Sequence, residues 1–158
     1  MTRPQSFETS WAEAERRAFA WLVASAGSTA GRDAFVGRDP GLVNAWHLRS
    51  LPVSATGENA FSAKDPRTLH IPYEAECVFQ KREKCLDWAM RLSGGLPLCQ
   101  DSESNVALLR INAIGAPRPD DIQLANEKAP VAVWYLTIGL DLVFETGGKA
   151  NLAAARTD

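Results

Sequence analysis

The chain has 158 residues, 46% of them apolar and 23% charged, enough to bury one core without disulfide or metal staples. Its 17 Lys and Arg against 19 Asp and Glu leave a net charge of −2, which weighs against a protein whose main work is gripping nucleic acid through a basic excess. Three cysteines without a CxxC pair (Cys77, Cys85, Cys99), a start lacking an apolar signal region and the absence of a bilayer-length apolar run point to a soluble, intracellular protein with reduced thiols.

The first predicted element is a helix. Ser10 and Glu13 have capping-box spacing, and Trp11, Ala14, Ala18, Trp21 and Leu22 recur at three- and four-residue steps as one apolar stripe. The GSTAG segment, Gly27–Gly31, ends it and lacks the lysine and spacing of a phosphate loop. Two short extended segments follow, Ala34–Arg38 before the Asp39-Pro40-Gly41 turn and an irregular one over Leu42–Val53. Residues 54–66 show no periodicity and read as a long functional or disordered loop.

From Arg67 to Phe79 the chain alternates. Leu69, Ile71, Tyr73, Ala75, Cys77 and Phe79 take one face; His70, Glu74 and Glu76 take the other. This strand runs straight into an amphipathic helix carrying Cys85, Trp88, Ala89 and Leu92, capped by Gly94 and Gly95. Val106–Ile114 reads as another strand, Gly115–Pro130 as a second long polar connection, and Val131–Glu145 as a strand of unusual length that must bend or reach to a neighbour. The sum is α+β: a mostly antiparallel sheet with helices packed on one face and a long C-terminal strand. Residues 1–148 form the single domain and 149–158 a mobile C-terminal tail.

No GxGxxG, GxSxG, HExxH or DxDxDG pattern occurs, so the expectation is a protein without catalytic residues, cofactor or metal. His70 and Glu74, with Glu76 and the distant His47, are the best metal set, but a solvated strand face explains them better. Cys85 sits on the apolar stripe of its helix, which reads as core rather than nucleophile. Lys81, Arg82 and Lys84 make a short basic run that suits a solvated helix face or an acidic partner. Four tryptophans have core positions by pattern, Trp11, Trp21, Trp88 and Trp134; Trp46, in the irregular segment, is the one expected to face a partner.

The order of elements resembles the tail terminator proteins of long-tailed bacteriophages. The matching pieces are FETSWAEAERRAFAWL, LHIPYEAECVFQKREKCLDWAMRL, VALLRINAI and PVAVWYLTIGLDLVFETGG, and the resemblance in element order runs over roughly residues 5 to 148. The resemblance implies a homo-oligomer, a hexameric ring in the virion, assembled in the host cytoplasm and seated on the last ring of tail tube protein. Such a ring stops tube growth, offers a surface to the head–tail connector or neck protein, and lets DNA pass through its lumen without specific binding and without membrane contact. Partner contacts are then expected at Trp46, at Glu58, Asn59, Phe61 and Lys64 in the 54–66 loop, and at Arg118, Asp120 and Asp121 in the 115–130 connection. The alternatives are another neck or tail-completion protein, or a small α+β enzyme or ligand-binding domain built on His70 and Glu74.

Overall fold

The computed structural model describes residues 11–37, 43–52, 68–95 and 107–145. In chain order the elements are α1 (Trp11–Ala26), β1 (Ala34–Val36), β2 (Ala45–Ser50), β3 (Thr68–Phe79), α2 (Arg82–Gly95), β4 (Ala107–Ile114), β5 (Arg118–Ile122) and β6 (Val131–Glu145). The six strands form one sheet in the order β1-β2-β3-β6-β4, with β5 also on β6. Only the β1–β2 pair is parallel; every other pairing is antiparallel, so the architecture is α+β with a mostly antiparallel sheet.

The alternation along β6 organises the sheet. One edge pairs with β3 in unbroken register from Trp134↔Phe79 to Glu145↔Thr68. The other edge pairs first with β5, over residues 131–135, and then with β4, over residues 138–144. The long strand is therefore used within its own domain rather than extended to a neighbour. Between Ile111 and Ala113 the register shifts at a bulge, the usual device for bending a long ladder. Leu136, Ile138, Leu140, Leu142 and Phe144 are buried on one face, beside Ile71, Tyr73, Ala75 and Cys77 of β3.

Both helices lie on that buried face. Ala14, Ala18 and Leu22, one turn apart, put the apolar stripe of α1 into the core, and Cys85, Trp88, Ala89 and Leu92 do the same for α2. Gly27 ends α1 at φ 67: its N–H reaches the Ala24 carbonyl at 3.3 Å and that of Ser28 the Val23 carbonyl at 3.0 Å, the two bonds of a Schellman cap. At the other end of α1, the Trp11 indole donates to the Tyr73 hydroxyl at 2.6 Å, and that hydroxyl donates to the Glu15 carboxylate at 2.5 Å.

The structure corrects three expectations. First, residues 118–122 are strand, not loop. Pro119 argues against a central strand, but an edge strand needs hydrogen bonds on one side only, and β5 is at an edge. Second, Trp46 faces no partner: it is 1% exposed, its ring lies 5.7 Å from that of Phe19 and 5.9 Å from that of Trp88, and its indole donates to the Ser28 hydroxyl at 2.8 Å. Pairing with Cys77 of β3 turns it under the helices. Third, Trp11, placed in the core by its stripe, is 43% exposed, because it opens the first turn of α1 and only its N–H is anchored. Trp46→Ala should cost about 3–5 kcal/mol in chemical denaturation, the range for truncating a buried large aromatic. A change below about 1 kcal/mol, as for an ordinary surface substitution, would contradict this placement.

Candidate partner interface

The sheet face away from the helices carries charged side chains paired across strands, beside the buried Ala45, Val78 and Val133 at one end. Arg49 on β2 meets Glu74 on β3 at 2.6 Å. Arg118 on β5 reaches over the ring of Tyr135, 5.5 Å from its centroid, to the Glu76 carboxylate at 3.4 Å, and so ties β5 to β3 across β6. The guanidinium is largely exposed, so this bridge is worth under about 1 kcal/mol and its role is to orient the strand edge. His47 faces Glu76 from β2 and is the buried polar side chain of this face.

His70 and Glu74 do not converge. They share a face of β3 but are four residues apart, about 13 Å along an extended strand, and the Glu74 carboxylate is engaged by Arg49. Among the described residues, no three His, Cys, Asp or Glu side chains come together as metal ligands. Also among these residues, no helix is long and apolar enough to cross a membrane.

Of the expected contact residues, the structure brings three together. Arg118, Asp120 and Asp121 lie on β5, whose first four residues are exposed. The Asp120 carboxylate accepts the Asp121 N–H at 2.8 Å, which fixes that carboxylate, while Asp121, the next residue on the strand, projects to the opposite face. A proline and two carboxylates on a free edge discourage strand addition by a stray chain, so what β5 presents is charge rather than a backbone ladder. Glu58, Asn59, Phe61 and Lys64, and the tail 149–158, lie outside the described residues.

A second feature sits at the same end of the sheet, where β2 begins and β3 runs into α2. Asn44, in the left-handed region at φ 62, donates its N–H to the Val78 carbonyl at 2.7 Å and, through its side chain, accepts the Gln80 N–H at 3.3 Å. With Phe79, Gln80, Lys81 and Lys84 it lines a cleft of about 330 Å³. The Lys81–Arg82–Lys84 run signalled basic charge in the sequence, but the left-handed Asn44 beside it gave no signal, because it is brought there from the residue before β2. Asn44 and Arg118 stand on one row across the sheet, in which Asn44 bonds Val78, Val78 faces Tyr135, and Tyr135 faces Arg118. Three strand spacings, about 14 Å, separate them. No protein-family model matches the chain, and no curated protein matches it either.

The buried thiols are structural. Cys77 and Cys85 are fully buried, and the Cys85 Sγ donates to the Trp134 carbonyl at 3.4 Å. Burial is the main cause pushing both thiols above their ordinary value of 9.0, and Cys85 beside it raises Cys77 further. Burial, then the Glu15 carboxylate, likewise raises the Tyr73 hydroxyl above its ordinary 10.0. In the unfolded chain these groups ionise at ordinary values, so above them the unfolded state binds fewer protons and stability falls as pH rises. Urea denaturation should show full stability below about pH 8.5 and a decline by about pH 9.5, shallower in Cys77→Ala. An unchanged midpoint over that interval would mean the thiols are not held protonated by the fold.

Proposed function

We propose that the chain is the subunit of a ring that caps the head-proximal end of a bacteriophage tail tube, ending tube polymerisation and offering a docking surface to the head or neck. The observation that carries this reading is the order of elements in one unit: an N-terminal helix, a strand pair, a strand running directly into a helix, and a long terminal strand to which the remaining strands are fastened. The polar edge carrying Arg118, Asp120 and Asp121 adds support, since it is built on paired backbone and available to a partner. In this mechanism nothing is catalysed. One surface of the ring matches the tube end, the other cannot recruit a further tube subunit, and a net-acidic subunit lets DNA slide by without strong phosphate contact. The partners are other copies of the chain, the tube protein and a neck protein.

Disrupting the gene in its phage and imaging the tails by electron microscopy tests this directly. Headless tails of uneven, excessive length are expected. Tails of normal length that fail to join heads would place the protein in the neck instead, and unaltered infectious particles would remove the assembly reading altogether.

A further inference from the structure

We propose that neighbouring copies join head to tail through charge, the Asp120–Asp121 edge of one subunit entering the Asn44–Lys81–Lys84 cleft of the next; this rests on the ring reading above and identifies its subunit contact.

The two surfaces are complementary. Lys81 and Lys84 are exposed at the cleft, while Asp120 and Asp121 are exposed on β5, and among the described residues none of the four forms an ion pair. Phe79 lines the cleft beside the lysines, and an apolar lining strengthens an ion pair formed against it. Asn44 and Gln80 supply neutral polar groups beside the cations. The Asp121 N–H holds the Asp120 carboxylate in place and Arg118 fixes the strand edge to Glu76, so little order is lost there on docking.

The placement dictates the symmetry. Asn44 at the cleft and Arg118 at the head of β5 stand three strands apart on one row, about 14 Å, and among the described residues neither lysine pairs with Asp120 or Asp121 of its own subunit. A contact between two unlike patches is heterologous. Repeated, it builds a closed ring if the rotation closes, rather than a two-fold dimer. The occupant is therefore a second copy of this chain, presenting the acidic strand edge that the basic cleft fits.

The test is a charge swap on the full chain, read as mass in solution by light scattering. The wild-type chain should form a multimer that shifts toward monomer as NaCl screens the contact. Lys81→Glu with Lys84→Glu, or Asp120→Lys with Asp121→Lys, should each weaken association by roughly tenfold or more. Mixing these two variants in equal amounts should restore the multimer, because every edge then meets a cleft of opposite sign. All four positions are exposed, and circular dichroism of each variant checks that the fold is kept; if the lysine pair on β5 disturbs it, Asp121→Asn serves as the milder edge variant, with a smaller shift toward monomer expected. A wild-type multimer that persists in both reversed variants, or that ignores salt, would overturn this contact and leave the ring reading standing. A wild-type chain that stays monomeric at the highest concentration reached would overturn the ring reading and this contact together.

Discussion

Strand β6 is hydrogen-bonded along both edges while one of its faces is covered by helices, and this double demand explains most of the molecule. A strand paired on both sides cannot shift by one residue without exposing Leu136, Ile138, Leu140 and Leu142 and burying Thr137 and Asp141. The register is thus locked by burial, and β3, β4 and β5 take theirs from it. The helices follow: α2 leaves β3 directly and lays Cys85 against the β6 backbone, while α1 is tied by Trp11 and Glu15 to the Tyr73 hydroxyl at one end and by Ser28 to Trp46 at the other.

Covering one face leaves the other to be kept soluble without helices, which is done by pairing charges across strands. Arg49 with Glu74 and Arg118 with Glu76 let a half-exposed sheet carry carboxylates without the cost of isolating them. The same device fastens β5, an edge that is short, proline-bearing and acidic. An edge of this kind resists indiscriminate strand pairing and still offers an array of charge.

Much of this was legible along the chain. The alternation over Arg67–Phe79 and Val131–Glu145, and the helical stripe through Cys85, Trp88, Ala89 and Leu92, place β3, β6 and α2 within a residue or two of where they lie, because each signal is long and its period unambiguous. The short elements were less legible. β5 has two prolines nearby and no alternation, and its strand conformation comes from the neighbouring β6, not from its own residues. Trp46 misled for the same reason: its segment is irregular, and only the pairing with β3 decides which way its ring turns.

The chemistry of the candidate interface divides similarly. Sequence alone established an acidic pair, a basic run, and long periodic strands whose apolar face had to be buried, since local spacing and hydrophobicity suffice to specify those. Which strands are neighbours, that Glu74 answers Arg49 rather than His70, and that Asn44 joins Lys81 and Lys84 at one cleft while Asp120 and Asp121 lie on the edge strand β5, are consequences of sheet order. These contacts join residues as many as 42 positions apart, and such pairings are fixed by the closure of the whole sheet, not by any local pattern.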